Sequence, residues 1–397
     1  MIAEEQQQSS FAEIQQLIRT HLKPHVGDLG RFRSTRELHA SSLYQRLEPY
    51  IRAVLETPQF GAFVSSAPPR KETYRVVAWN IERGKQLAGQ LEALKRHEYL
   101  RQADVLLLTE TDVGMARSGN VDVARELAAA LGMDYGFAPC YWSLVKGSGL
   151  ERHVNGENDL GLHGNAILSR YPLSNFRPVH LENGIDILAA REQRLGRQTA
   201  LLADVEFPQG KVTFACIHLD AHSSQRHRRD QMQCVLDALP AGNGPVVLGG
   251  DWNTTTYDSS TAFRSICGFW LRVFMGVGHV IRNHYLHPDR WFERELFDLL
   301  RQRGFEYERS NVPGEYTICY DIADQQTYLA LREWVPQFCF PFIHWSLRDF
   351  GGKCPFKIDW FATRGVEPLN PRVIHEVREG REAPLSDHDA IGVDLRI

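Results

Sequence analysis

The strongest constraint on the fold is a series of short apolar runs, each ending abruptly in residues fit for chemistry. Residues 74–79 read as a strand ending at Asn80, Ile81 and Glu82, and 104–108 as a buried strand ending at Thr109 and Glu110. Residues 165–169 run into a turn at Tyr171 and Pro172. Around Gly210, 198–207 and 211–217 form a hairpin pattern whose second strand leads straight into His218. The run 246–250 delivers Asp251 and Asn253, and 357–362 carries Asp359 within it. A closing strand over 390–397 follows Ser386, Asp387 and His388. Helices are expected over 86–100 and 228–239. This order predicts an α/β fold: a four-layer α/β/β/α sandwich of two packed mixed β-sheets with helices outside them. Loops at the strand ends can then gather the polar residues into one cleft. The hairpin, and the lack of a glycine-rich phosphate loop after the first strand, weigh against a parallel nucleotide-binding layer.

Two segments depart from that texture. Leu17, Ile18, Leu22, Leu38, Leu43, Leu47, Ile51 and Leu55 recur at helical steps among polar residues, so 1–70 reads as an N-terminal helical extension. Packing on the main domain is the favoured reading, with a mobile or partner-binding arm as the alternative. Residues 71–397 form the remaining domain, interrupted by a long insertion at about 257–356. That insertion is rich in aromatics and histidines, among them Phe263, Trp270, Trp291, Trp334, Phe342 and Trp345. A helix is expected near 288–303, with Trp291, Phe292, Leu296, Phe297, Leu299 and Leu300 facing the core. The aromatics can bury the insertion against the sandwich, line a substrate wall, or do both.

At 397 residues and 43% hydrophobic content the chain can bury one large core or two modest ones. Its formal net charge of -4 gives no support for a broad basic surface, though a local basic groove would suffice for a nuclease. The cysteines form no close metal-type pair and no disulfide framework. The first residues, rich in Gln and Glu, lack a signal-peptide pattern, and no stretch is long and apolar enough to span a bilayer. A cytoplasmic location is the expectation.

The strand-end residues suit water-driven phosphoryl transfer, which needs charge neutralisation, a deprotonated nucleophile and a stabilised leaving oxygen. Glu110 can bind a hard divalent ion, with Asn80 beside it. Asp251 can bind a metal or orient water and Asn253 can donate to phosphate, although taken alone an Asx turn or helix cap is the favoured local explanation of the pair. Asp359 is costly to bury alone; it calls for a histidine partner that it would orient, or a salt bridge to Lys357 or an arginine. His218 and the Asp387-His388 pair are weak signals in isolation. There is no serine nucleophile elbow, and the histidines at 279–287 lack metalloprotease spacing.

Taken together, TrpAsnIleGlu at 79–82, ThrGlu at 109–110, GlyAsnAlaIleLeuSerArg at 164–170, HisLeuAsp at 218–220, GlyAspTrpAsn at 250–253, LysIleAspTrpPhe at 357–361 and SerAspHis at 386–388 resemble the endonuclease/exonuclease/phosphatase (DNase I-like) superfamily. The resemblance implies that Glu110 holds the catalytic cation, with Asn80 beside metal and phosphate and Asp387 completing the metal environment. It implies that Asp251 positions the attacking water and that Asn253 binds phosphate or stabilises the transition state. His388, paired with Asp359, would be general base or the main phosphate contact. His218 would contact phosphate and help protonate the leaving oxygen, and Asn165 would reach the substrate. Mg²⁺ is the implied cofactor, with Mn²⁺ or Ca²⁺ also suited to oxygen ligands. The long insertion and the helical extension depart from the family pattern.

The expected activity is metal-dependent hydrolysis of a small-molecule or lipid-headgroup phosphodiester or phosphomonoester by an activated water. The alternative is a metal-dependent DNA or RNA nuclease, in which nucleic acid is the partner. A non-enzymatic binding role is disfavoured by the complete polar set. The oligomeric state is left open by the sequence.

Overall fold

A computed structural model of the protein describes residues 11–66, 68–242, 244–323, 337–381 and 383–397. Trp334 of the aromatic insertion lies outside the described residues. The first half of the chain contributes strands β1 (Gln59–Gly61), β2 (Tyr74–Arg83), β3 (Val105–Val113), β4 (Asp134–Ser143), β5 (Leu162–Ser169), β6 (Leu173–His180) and β7 (Arg194–Gly196). The second half adds β8 (Thr199–Phe207), β9 (Gly210–His218), β10 (Val246–Asp251), β11 (Ile318–Asp321), β12 (Lys353–Phe356), β13 (Asp359–Arg364), β14 (Glu367–Ile374) and β15 (Ala390–Arg396). One mixed sheet runs β1-β4-β5-β3-β2-β15-β14, with β7 also paired to β4. The second runs β13-β10-β9-β8-β6, and β11 and β12 form a small ribbon.

Side-chain alternation shows why these strands stack. Val77, Trp79, Leu106 and Leu108 point to one side of the first sheet, into a cluster shared with helices. Their neighbours Val76, Ala78, Val105 and Leu107 point the other way and meet Leu201, Ala203, Phe214, Cys216 and Phe361 of the second sheet. The far face of the second sheet, with Leu202, Ala215, Ile217 and Leu248, is covered by Met232 and Val235 and by Leu296, Phe297 and Leu300. Both faces of both sheets are therefore buried, which requires helices outside. The architecture is the α/β/β/α sandwich.

Seven helices carry the argument: α1 (Ser42–Glu56), α2 (Leu87–Arg96), α3 (Val123–Leu131), α4 (Gln225–Asp237), α5 (Ala262–Met275), α6 (Arg294–Gln302) and α7 (Phe340–Leu347). The N-terminal helical region is packed, not a free arm. Ile18, Leu22, Leu38, Leu47, Ile51 and Val54 join the outer cluster of the first sheet, and Arg19 reaches Asp159 at 2.6 Å. The helix expected near 288–303 is shorter, and only part of its apolar set faces the core. Leu296, Phe297, Leu299 and Leu300 are buried, but Trp291 precedes the helix and is 73% exposed. No helix among the described residues is long and apolar enough to cross a membrane.

Because α1 belongs to the main core, truncating it must cost the whole domain. Ile51→Ala removes a side chain 4% exposed, with an expected loss of about 2–4 kcal/mol. Urea unfolding should show one earlier transition, whereas an unchanged midpoint would mean the extension is energetically separate.

Candidate active site

The site begins with register. Asp251 closes β10, and its partner across the parallel pair is His218, the last residue of β9. Across the antiparallel pair its partner is Asp359, the first residue of β13. Three of the residues expected from sequence thus stand abreast at one end of the second sheet. Gly250 makes this row possible. Its φ is +134°, and a Cβ there would lie 2.2 Å from the Ile217 carbonyl oxygen.

The first sheet supplies the facing side. Asn80 shares parity with Ala78 and so points between the sheets, where its Nδ2 donates to Asp251 Oδ2 at 3.1 Å. Glu110 would by the same alternation follow Leu106 and Leu108 onto the apolar outer face. A register shift between Leu108 and Thr111, with Glu110 at φ 55°, breaks that alternation. Asn253 is likewise in the left-handed region, at φ 49°. Its backbone N–H donates to Asp251 Oδ1 at 2.9 Å, as an Asx turn does, and its Nδ2 donates to the Leu219 carbonyl at 2.9 Å. The Asx turn and the site are therefore the same feature.

The loop before β15 brings His388. Its Nδ1 bonds Asp359 Oδ2 at 2.9 Å, leaving Nε2 3.7 Å from Asp251 Oδ2. His218 Nε2 lies 3.5 Å from the same oxygen. Asp359 thus has the histidine partner that its burial demands. Lys357 is not its salt-bridge partner; that amine sits 4.6 Å from the Trp360 ring. Asp251, Asp359 and His388 form a tight buried group of two carboxylates and an imidazole. Asp387, next in the loop, is exposed, with Ser386 Oγ 3.3 Å from its Oδ1. Asn165 is set apart from these residues. Its Nδ2 donates to the Thr199 carbonyl at 2.8 Å, tying the two sheets together.

Charge in this group is strongly coupled to burial. Burial raises the Asp251 carboxyl to about 6; Asp359 adds to the rise, while His388 and His218 oppose it. Burial alone would depress the His388 imidazole, but Asp359 and Asp251 hold it well above its ordinary value. Glu110 goes the other way: against the cost of burial, the charge of Arg83, then of His218 and His163, keeps it well below the usual carboxylate range.

Several contributors were not legible in the sequence. Arg83, 3.7 Å from Glu110, also reaches Glu151 at 3.3 Å, and Glu151 meets the buried Arg117 at 3.0 Å. Arg117 in turn holds Asp112 and Glu192, and Asp112 holds His163. Thr317, from the insertion, accepts the backbone N–H groups of Ile358 and Asp359 at its Oγ1, each at 3.1 Å. Its carbonyl accepts from Asp389 N at 2.8 Å. Tyr320 stands close enough that, after burial, the charges of Asp387, Asp251 and Glu110 raise its hydroxyl pKa. Only Ser386, inside the SerAspHis motif, had a sequence signal; its Oγ donates to the Asn80 carbonyl at 2.6 Å.

The sequence profile of the Endonuclease/Exonuclease/phosphatase family matches residues 77–388, a span that contains Asn80, Glu110, His218, Asp251, Asp359 and His388 and none of the N-terminal helices. The chain belongs to that family. Membership supports phosphoester hydrolysis with a divalent metal ion as the chemistry of this site. No curated protein matches the chain. Among solved structures, an endonuclease/exonuclease/phosphatase from Beutenbergia cavernae is similar at 17% identity, over 82% of this chain and 72% of that one, with a TM-score of 0.48. The human Nocturnin catalytic domain with bound sulfate is similar at 16% identity, over 85% and 96% of the two chains, with a TM-score of 0.47. A 3′ phosphatase from Neisseria bound to product DNA hairpin shows 14% identity over 81% and 98%, with a TM-score of 0.42.

The loop carrying His388 is braced by a titratable pair. His375 bonds Asp389 at 2.8 Å and Glu315 at 2.9 Å. The Asp389 hydrogen bond, against burial and with help from Glu315, raises the His375 imidazole to about 9. A raised folded pKa stabilises the protonated form, so this contribution is complete below the unfolded value of about 6.5 and is lost as pH rises through about 9. Denaturant midpoints should therefore fall between those limits in the wild type and fall less in His375→Gln. Parallel slopes in the two proteins would remove His375 from this role.

Proposed function

We propose that this protein hydrolyses a small-molecule or lipid-headgroup phosphoester by direct attack of a water oriented at Asp251. The observation that carries the reading is Asp251 itself, held by Asn80 from one sheet and by the Asn253 N–H from the other, between two imidazoles. A carboxylate so fixed can accept a proton from water without reorienting. His388, aimed by Asp359 and with its protonated form favoured by Asp359 and Asp251, is suited to meet phosphate oxygens. His218, on the opposite side of Asp251, is suited to the leaving oxygen. Asn253 can offer the second hydrogen of its amide to the phosphate.

Glu110, Asn80 and Asp387 present hard oxygen donors, and Glu110, whose ionised form is favoured by Arg83, fits Mg²⁺ better than a soft metal. When bound there, such an ion would neutralise charge on the phosphate. The Asp251, Asp359 and His388 group is the less suitable cradle. His388 Nδ1 is already committed to Asp359, and both Asp251 oxygens already accept hydrogen bonds. A compact ester is favoured over a polynucleotide because the net charge is -4 and the surface near the insertion is aromatic.

The test is metal-free protein, with Mg²⁺ or Mn²⁺ restored, against phosphomonoesters, small diesters, phospholipids and nucleic acids. His388→Ala is expected to lower kcat/KM by about 10²–10⁴, and Glu110→Ala to weaken both turnover and Mg²⁺ binding measured by calorimetry. Turnover of polynucleotides alone would overturn the substrate assignment. Full activity in both variants would overturn the site.

A further inference from the structure

The insertion buries only part of its aromatic content. On α5, residues 263, 267, 270, 271 and 274 return to one side of the helix, and Phe263, Leu271 and Phe274 are 75%, 51% and 84% exposed. The opposite side is anchored: Phe269 packs on the insertion's own apolar cluster, and Arg272 lies over the Tyr257 and Phe292 rings. A second helix extends the surface. On α7, Ile343 and Leu347 are buried in the same cluster while Phe342 and Trp345 face out, with Phe338 just before the helix. Trp270 meets Phe342 edge-on at 5.5 Å, so the outer faces of α5 and α7 are continuous. Isolated exposed leucines are ordinary, but a contiguous aromatic face is a binding surface.

Charge identifies the occupant. No acidic residue occurs between Asp258 and Asp289, nor in 337–348, on a chain whose formal net charge is -4. Arg264, Arg282, Arg348 and Lys353 are exposed in or beside these segments. Arg264 is paired with Asp258 at 2.9 Å and Arg348 lies 3.5 Å from Asp349, so the acids stand at the margin. A second copy docked through the same patch would set these cations against themselves. A layer of anionic headgroups over acyl chains meets both features at once, since aromatic rings settle at the membrane interface and basic residues at its surface.

We propose that the outer face of α5 and α7 docks on an anionic phospholipid bilayer, with Phe263, Leu271, Phe274, Phe342 and Trp345 entering the headgroup boundary. The proposal goes beyond hydrolysis and does not depend on it, because binding is read without turnover. The full chain is expected to co-float with vesicles of phosphatidylcholine and phosphatidylglycerol, and less with phosphatidylcholine alone. Phe274→Asp and Leu271→Asp are each expected to reduce the bound fraction constant about tenfold or more. Because both side chains face solvent, the urea midpoint and turnover of a soluble ester should hold. Absence of vesicle binding, or binding indifferent to both substitutions, would overturn the proposal. So would a dimer in sedimentation equilibrium that Phe274→Asp dissociates.

Discussion

A carboxylate buried to 2% exposure at the end of a strand has to be satisfied by its surroundings, and Asp251 organises much of this molecule around that requirement. Its hydrogen bond from Asn80, like that from Asn165 to the Thr199 carbonyl, is a polar link between two sheets whose contact is otherwise mainly apolar. The bond needs Asn80 of β2 and the end of β10 to lie at the same level. It also needs Gly250, where any side chain would strike the neighbouring backbone, and an Asn253 backbone turned into the left-handed region. The apolar packing sets the spacing of the sheets, and the polar row fixes their relative height. The chemistry of the site follows from that alignment.

What could be read from the sequence follows the same division. Strands buried on both faces, such as β3 and β10, are near-continuous apolar runs and announce themselves. The edge strands β6 and β14 do not. Each is half-exposed along most of its length and each contains proline, Pro178 in β6 and Pro368 and Pro371 in β14, so neither alternation nor propensity marks them. β4 is hidden differently: Gly136 and Pro139 interrupt an otherwise buried strand. The site residues were legible where they close a strand or sit in a short motif. Thr317 and Tyr320 were not, because they reach the site from the insertion, where local sequence says nothing about which element lies alongside.

The insertion is therefore part of the site's construction. Ile318 in β11 forms a bridge with His388, two residues before Tyr320 on the same strand. Ile318 and Tyr320 belong to the cluster that also holds Ile343 and Leu347 of α7. The small core that braces the catalytic loop is thus the one beneath the exposed aromatic helices. A shift of those helices on their support would be passed toward Thr317 and His388, because packed interiors transmit displacement instead of absorbing it.

Glu110 shows how much of the site is set at a distance. Its anionic state comes from Arg83, whose position depends on Glu151, which in turn is held by Arg117 against Asp112 and Glu192. Such a buried network contributes little net stability, since desolvating its members offsets most of their attraction. Its effect is on placement and charge. Glu110 sits at a bulge within its strand, with a backbone conformation unfavourable for a side chain of its size, and the charges of the Arg83 guanidinium and of nearby imidazoles favour its ionised form. Removing Arg117 would leave Asp112, Glu151 and Glu192 as unmatched negative charge behind Arg83. Arg83 would then be drawn from Glu110 toward them, and the Glu110 carboxylate would lose the cation that holds it in place.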